Sequence, residues 1–486
     1  MEEKRVIVVG GGITGLATAY YIDTKARAAG KSVKVTLFEA DDKLGGKVQT
    51  ERIDGFTMER GPDSFLARKV AALNLIRELG IDDELVGQNP SSRKTYILHR
   101  KKLHRIPAGM NVGVPTQFVP FATTGLLSWR GKIRAGLDLV KPKAEVKGDQ
   151  SIGLFLERRL GKEVVDYLAE PLLAGIYAGD LRNLSLRSTF PHLEGLEQKY
   201  GSLIKGMLAQ AAQAKAEQKT PPNPELGARP IPNSVFLSFR SGLYRLIERL
   251  EYVLEQNGVE IRTGVAVRKV EKAEGENAAP YSVTVETGET LSADAVVLTA
   301  PTYDCARVLP EQFKQKAYLT QLPYVSVANV VMAFGKGAVD PDLVDGSAGF
   351  VVPRKEGRTI TACTLTSNKW LHTAEKGKTL MRFYVGRAGD EQIVDKSDND
   401  IIEKVRKDLY DTMRVDAQPL FTRITRWRKA MPQYTVGHLD RVKEFVEASR
   451  KELPGVYFAG SGYYGLGIPD CIGQGLSTAE QLLQDL

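Results

Sequence analysis

Short apolar runs mark strands at both ends of the chain, and helical spacing fills much of the middle. Val6-Ile7-Val8-Val9 has the length and β-branched character of a buried parallel strand. A glycine-rich turn, Gly10–Gly15, follows, and Leu16-Ala17-Thr18-Ala19-Tyr20-Tyr21 then reads as a helix. Val33-Lys34-Val35-Thr36-Leu37-Phe38 is a second strand, ending at Glu39. Beyond Asp63 a turn gives way to a helical pattern through Val70, Leu73, Leu75, Ile76 and Leu79. From Ser91 to about Ser185 the spacing of Leu, Ile and Val predicts mostly helix, with Asp149 as a cap before Ser151-Ile152. Ala209–Pro232 turns to Ala/Gln/Lys and then to Pro221-Pro222-Asn223-Pro224, which reads as a frayed helix end entering a mobile loop. A helix over Ser241–Leu254 precedes strands at Gly258–Ile261, Val265–Val270, Tyr281–Glu286 and Ala295–Pro301. Residues 302–426 mix strands and helices. Pro454–Gly460 is a last strand, and Gly465–Asp470 leads into a helix from Cys471 to Gln484.

The strand–turn–helix–strand order at the N-terminus is that of a dinucleotide fold, and its parts have mechanical roles. Gly10 permits the tight turn, Gly12 lets a pyrophosphate approach the backbone, and Gly15 with Ala19 lets the helix lie close to the sheet. With Gly11, Ile13 and Thr14, these residues form a helix N-terminus that presents free N–H groups and a positive dipole end to phosphate. Glu39 is placed to accept hydrogen bonds from adenosine ribose hydroxyls. At the other end, Pro469 in a first helical turn lacks only an N–H that would be unpaired anyway, so Ile468, Pro469 and Asp470 open a second helix N-terminus just after the strand ending at Gly460. The fold class is therefore α/β: a Rossmann-like nucleotide-binding domain built from non-adjacent pieces, with a mixed α/β substrate domain and a helical insertion. The boundaries expected are 1–66, 235–301 and 427–486 for the first, 67–90, 184–234 and 302–426 for the second, and 91–183 for the third.

The length of 486 residues suits two or three domains, and the composition is that of an ordinary globular protein. A net charge of +8 favours an anionic ligand, a phospholipid surface or nucleic acid. With no aromatic-basic RNA motif and no dense Lys/Arg block, no nucleic-acid partner is expected. Cys305, Cys363 and Cys471 are sparse and odd in number, which argues for a reducing compartment. The first strand leaves no room for a leader, so a cytoplasmic protein is expected. The uncharged stretch Asn111–Trp129 is broken by Gly113, Pro115, Pro120 and Gly125 and cannot be a regular spanning helix. Its basic flank (Arg130, Lys132, Arg134, Lys141) leaves two readings open: a buried accessory loop, or peripheral contact with the inner face of the cell membrane. His99, His104, His192, His372 and His438 have no ligand spacing, and no metal site or Ser-His-Asp set is expected.

Leu44-Gly45-Gly46-Lys47 resembles the second glycine pair of flavin amine oxidases, which follows the ribose carboxylate and turns the expected nucleotide towards FAD. Glu59–Phe65, Leu172–Asp180, Trp427–Tyr434 and Gly467–Ile472 extend the likeness over nearly the whole chain. Together they resemble the bacterial FAD-dependent porphyrinogen oxidases of haem synthesis, and most of all the Gram-positive branch acting on coproporphyrinogen III. The resemblance implies that Gly10 to Gly15, Glu39, Ala40, Gly46 and Lys47 hold the adenosine and diphosphate. It also implies that Gly61, Pro62, Asp63 and Ser64 run beside the flavin ring, Val267 meets adenine through its backbone, and Trp427 with Gly460 and Ile468–Asp470 closes over the ring. Gly175, Ile176 and Tyr177 would form one wall of a porphyrinogen pocket, with Arg68 and Lys69 as propionate contacts. The implied reaction is a six-electron oxidation by dioxygen with peroxide release, FAD held non-covalently and product handover to a ferrochelatase. Protoporphyrinogen IX is the alternative substrate. A flavin amine oxidase, a carotenoid desaturase or a non-enzymatic lipid chaperone of the same fold also stay open.

Overall fold

The computed structural model describes residues 3–92, 94–144, 147–217, 231–273, 279–344 and 346–486. Its organising element is a five-stranded, all-parallel sheet in the order Glu260–Arg262, Val33–Phe38, Lys4–Val9, Ala295–Leu298, Val456–Phe458. Val6 lies between Val35 and Ala295, and Val8 between Leu37 and Val297. Alternate side chains of the central strands enter two cores, as expected where a parallel sheet is covered on both faces. Val6, Val8, Val35 and Leu37 meet Leu16, Ile22, Leu246, Ile472 and Leu482 from the helices Ile13–Ala28, Tyr244–Gln256 and Ile468–Asp485. Ile7, Val9, Phe38 and Val296 meet Val270, Tyr281, Val283, Cys305 and Phe445 on the other face. An antiparallel sheet of Val267–Lys272, Tyr281–Val285 and Thr290–Ala293 contributes to that second core.

A seven-stranded sheet forms the second layer system, in the order Phe421–Pro432, Tyr324–Phe334, Thr379–Val385, Ile360–Leu365, Ser347–Val351, Lys94–His99, Lys102–Arg105. The helix Asp398–Met413 covers one face through Ile401, Val405 and Leu409. Two features depart from the sequence reading. Residues 94–105 form a hairpin of this sheet, not helix: Tyr96, Ile97 and Leu98 pair with Arg105, His104 and Leu103. The hairpin turns on Arg100 and Lys101, both at positive φ (51° and 63°), the geometry of a two-residue primed turn. That turn lacks the usual Gly or Asn signal, and the Glu356 carboxylate stabilises it by accepting the Arg100 N–H at 2.9 Å. Secondly, the strand Phe421–Pro432 runs unbroken through residue 427, so Trp427 is carried by this sheet.

A helical insertion packs around Ile152, Phe155, Leu156, Leu168, Leu186 and Leu193, and Ile97 of the seven-stranded sheet joins that core. Its helix Ile152–Leu160 is capped by Ser151, whose Oγ accepts the Leu154 N–H, and not by Asp149. The Asp149 carboxylate instead accepts N–H groups of Gln150 and Gly437, tying the insertion to the C-terminal segment. The stretch Asn111–Trp129 holds one short helix, Phe118–Thr123. Leu126 and Leu127 are buried, whereas Phe118 and Trp129 are 83% and 71% exposed. No helix among the described residues is long and apolar enough to cross a membrane. The helix Leu203–Glu217 precedes the proline-rich segment 221–224, which lies outside the described residues.

Candidate active site

Two helix N-termini converge at the carboxyl end of the parallel sheet. The helix Ile13–Ala28 starts at Gly12 with no side-chain cap, and Ile468–Asp485 starts at Gly467, also uncapped. Where Gly475 faces Thr14 and Thr18, an added Cβ would come within 3.0 Å of the Thr18 backbone, so the helices are in close contact. Gly10 turns at φ +107°, and its N–H donates to the Phe38 carbonyl at 2.8 Å. A Cβ on Gly15 would stand 1.8 Å from the Gly10 carbonyl oxygen, whereas one on Gly12 would meet nothing within 4 Å. The turn is thus crowded on its protein side and open at Gly12, the shape of a backbone cradle for an anion.

Glu39 stands at that cradle. Its carboxylate accepts the N–H of Gly11 at 2.6 Å and of Asp41 at 2.9 Å, and the Glu39 carbonyl accepts the Val265 N–H. Val265 brings the strand of Val267 alongside, and Ala40 continues the chain from Glu39. Gly45 forms a bridge with Gly12, which puts Gly46 and Lys47 beside the same opening. Burial lowers the Lys47 ammonium pKa, only partly offset by the nearby Cys471. Gly460 lies by Thr14 and Thr299, its N–H donating to the Gln474 side chain at 3.2 Å.

Gly61 packs flush against Lys47, where an added Cβ would come 1.8 Å from the Lys47 carbonyl oxygen and 3.6 Å from the Trp427 ring. The Trp427 indole N–H donates to the Arg60 carbonyl at 2.8 Å. Lys47, Gly61 and Trp427 therefore border one region, although they come from three stretches of chain, and Pro62 and Ser64 continue the segment from Gly61. Asp63, next in line, faces inward: Oδ2 lies 2.9 Å from Lys369 Nζ and 3.2 Å from Arg382 Nη2, and Ser64 Oγ donates to Oδ1 at 2.7 Å. Burial alone would raise its pKa, but Lys369 and Arg382 outweigh that and hold the carboxyl well below the ordinary range. Arg382 also donates to the Glu59 and Gly61 carbonyls, so it locks the segment carrying Gly61 onto the second sheet.

Lys69 Nζ donates to both Asp470 oxygens at 2.6 Å, joining the start of the helix Val70–Glu78 to that of Ile468–Asp485. Arg68 is exposed, and His192 feels its charge. Gly175 and Ile176 are exposed, and the half-buried Tyr177 has its phenol pKa raised by burial first and then by the Asp470 carboxylate. Gln433 Nε2 donates to the Tyr177 carbonyl at 2.8 Å. Tyr177 thus faces the region where Asp470 lies.

Several contributing residues were not among the expected site residues, although Tyr434 ends the segment Trp427–Tyr434 that carries the resemblance. Tyr434 Oη donates to the Ser461 carbonyl at 2.6 Å and accepts the Gly465 N–H at 3.1 Å. His438 stacks on Tyr434 at 4.3 Å, and its Nε2 lies 2.8 Å from the Tyr463 carbonyl. Burial lowers the His438 pKa to about 4, leaving a neutral ring that braces the turn before the last helix. Arg382, Lys369 and Gln474 likewise act through distant segments.

The chain matches the family described as flavin containing amine oxidoreductase over residues 13–483. It is 43% identical to the coproporphyrinogen III oxidase of Bacillus subtilis, covering 99% of this chain and 98% of the relative. Identity to the Staphylococcus aureus coproporphyrinogen III oxidase is 37%, over 99% and 100% of the two chains. The chloroplastic protoporphyrinogen oxidase 1 of Arabidopsis thaliana is 30% identical over 97% of this chain and 87% of the relative. Among solved structures, a provisionally named protoporphyrinogen oxidase from Exiguobacterium sp. 255-15 superposes with a TM-score of 0.86 at 37% identity, over 100% of both chains. A reduced UDP-galactopyranose mutase shares the fold alone, at a TM-score of 0.71 and 16% identity. With the family matched from the glycine turn to the last helix, the chain belongs to the flavin-containing amine oxidoreductases.

Proposed function

We propose that the protein oxidises coproporphyrinogen III to coproporphyrin III, with non-covalently bound FAD and dioxygen as final acceptor. The observation that carries this reading is the end-to-end likeness to coproporphyrinogen III oxidases, which spans both the cofactor cradle and the opposing loop. The opening at Gly12 fits a pyrophosphate, with Gly10, Gly11, Gly15, Glu39, Ala40 and Gly46 around the adenosine half and Val267 beside it. Lys47, Gly61, Pro62, Ser64, Trp427, Gly460, Ile468 and Pro469 would border the ring half. Asp63 would set the ring-side segment in place through Lys369 and Arg382. A buried Cys471, its thiol pKa raised by burial, supports a cofactor without a thioether link.

When bound, the flavin supplies hydride acceptance, which is the hard chemistry of the reaction. The chain's residues supply orientation and charge. The uncapped N-terminus of Ile468–Asp485 directs positive potential into the site and favours a developing negative charge there. Gly175, Ile176 and Tyr177 would give the substrate one wall, beside Gln433 and Asp470. Lys69, held on Asp470, serves more readily to fix that helix start than as a free propionate contact. Porphyrin formation removes six hydrogens, so the pocket must present the macrocycle repeatedly while it flattens.

In this reading the enzyme is cytoplasmic and touches the inner membrane face through Phe118, Val119, Trp129 and Ile133, which are exposed near Arg130 and Lys132. Handover of a poorly soluble product to a ferrochelatase belongs to the same reading. The test is aerobic turnover of coproporphyrinogen III and protoporphyrinogen IX in parallel, following porphyrin fluorescence and peroxide. Faster coproporphyrin formation, with one peroxide per hydrogen pair removed, is expected. Fluorescence no greater than the autoxidation control would reject the assignment. Loss of co-sedimentation with anionic vesicles in a Phe118→Ser/Trp129→Ser double variant tests the membrane contact separately.

A further inference from the structure

Gln433 and Tyr434 directly follow the strand Phe421–Pro432 that carries Trp427, and their side chains engage two different parts of the candidate site. The Gln433 side chain is buried, and its Nε2 donates to the Tyr177 carbonyl at 2.8 Å and to the Met431 carbonyl at 3.0 Å. Tyr177 ends the helix Glu170–Tyr177, and a helix C-terminus leaves its last carbonyls without partners inside the helix. Two remote donors supply them here. Gln433 reaches the Tyr177 carbonyl, and the Ala388 N–H donates to the Ala178 carbonyl at 2.7 Å. The corner they hold is a demanding one, because Ala178 turns at φ 51° in the left-handed region where a helix cap is usually glycine. Gly179 completes the seat. An added Cβ there would stand 2.3 Å from Gln433 Oε1, so the missing side chain lets the amide lie against the loop.

Tyr434 holds the other part. Its hydroxyl bonds Ser461 and Gly465 in the turn before the helix Ile468–Asp485. The backbone between the two side chains is itself fixed. The Gln433 N–H donates to the Pro323 carbonyl at 2.8 Å, and the Gln433 carbonyl accepts the Thr435 N–H at 2.9 Å. The Tyr434 carbonyl accepts the Ser185 N–H at 2.7 Å. One anchored peptide unit therefore links the loop of Gly175–Tyr177 to the turn that starts the last helix.

We infer that Gln433 is a positioning residue for the substrate: through the Tyr177 carbonyl it sets the place of the wall formed by Gly175, Ile176 and Tyr177 relative to the start of the last helix. This rests on the proposed substrate and on that wall. Displacing a binding surface by about an ångström weakens catalysis without removing any group from the reacting atoms. An interaction made equally in the ground and transition states shows in KM with kcat unmoved, which is the expectation for a wall that holds the macrocycle. A support that served the fold alone would lower stability and leave KM where it was.

The experiment measures aerobic oxidation of coproporphyrinogen III by the flavin-loaded wild type and two variants, following porphyrin fluorescence, with flavin absorbance and thermal unfolding recorded for each. Gln433→Met keeps the length of the side chain and removes its amide. Gly179→Ala displaces the same amide from the other side, and its nearest contacts are side-chain atoms of Gln433 and Leu184, so the backbone can stay in place. In each variant KM is expected to rise about threefold or more, with kcat within about twofold of wild type and flavin content unchanged. The double variant should match Gln433→Met within about twofold, because both changes remove one contact. A smaller rise in KM in a folded Gln433→Met, or a fall in kcat with KM unmoved, overturns the positioning role. If Gln433→Met does not fold, Gly179→Ala decides by the same threshold. A wild type that leaves coproporphyrinogen III at its autoxidation rate overturns the substrate reading, and the positioning role falls with it. An active wild type beside folded variants with its KM overturns the positioning role alone.

Discussion

Replacing Gly12 with alanine separates cofactor binding from folding. Gly12 has φ −71° and ψ 175°, an extended conformation open to any L-residue, and an added Cβ meets no protein atom within 4 Å. The apo-protein should therefore unfold within about 0.5 kcal/mol of wild type, as surface substitutions without a structural role do. The methyl group would occupy the opening that a pyrophosphate needs. Overpacking by one such group costs about 1–3 kcal/mol, which corresponds to FAD binding about fivefold to 150-fold weaker. The assay is titration of apo-protein with FAD by flavin fluorescence, beside denaturant unfolding of the apo form. Gly15→Ala is the contrasting variant. Its Cβ would stand 1.8 Å from the Gly10 carbonyl, so both apo stability and FAD affinity should fall. A Gly12→Ala protein that binds FAD within twofold of wild type would refute the cradle. Equal destabilisation of the two apo-variants would refute the distinction between its open and crowded sides.

Three further outcomes follow from the buried groups. Asp63→Asn leaves Lys369 and Arg382 without their shared counter-charge and should cost about 3–5 kcal/mol in denaturant unfolding, with a loss below 1 kcal/mol contradicting the counter-ion role. Glu59 has its pKa raised from 4.5 to about 7 by burial, so the folded state binds its proton more tightly than the unfolded chain. Its contribution therefore favours folding below pH 4.5 and is lost as pH rises towards about 7. Relative to wild type, Glu59→Gln should gain up to about 3 kcal/mol over that interval, and a pH-independent difference would reject the shift. Tyr434→Phe removes the hydroxyl shared by Ser461 and Gly465; apo stability should fall by about 1–3 kcal/mol, and an unchanged unfolding midpoint would show that the hydroxyl does not brace the turn.

The sequence by itself determined the pieces whose logic is local. Val6–Val9, the glycine turn and Val33–Phe38 were legible because strand period, turn chemistry and a helix start lie within some thirty neighbouring positions. The last helix was legible for the same reason, although it begins at Ile468, so Pro469 and Asp470 belong to its first turn. The hairpin over residues 94–105 was not, because its two-residue turn uses Arg100 and Lys101 at positive φ and takes support from Glu356. Only the tertiary structure decided what the charged residues do. The resemblance implies that Asp63 belongs to a ring-side loop, yet it is an internal counter-ion to residues more than three hundred positions away. Lys69 is implied by the resemblance as a propionate contact, yet it fixes Asp470. Backbone patterns repeat at fixed local intervals, so a sequence displays them directly. Charge pairing depends on separations of a few ångströms between remote segments, and those exist only once the chain has folded.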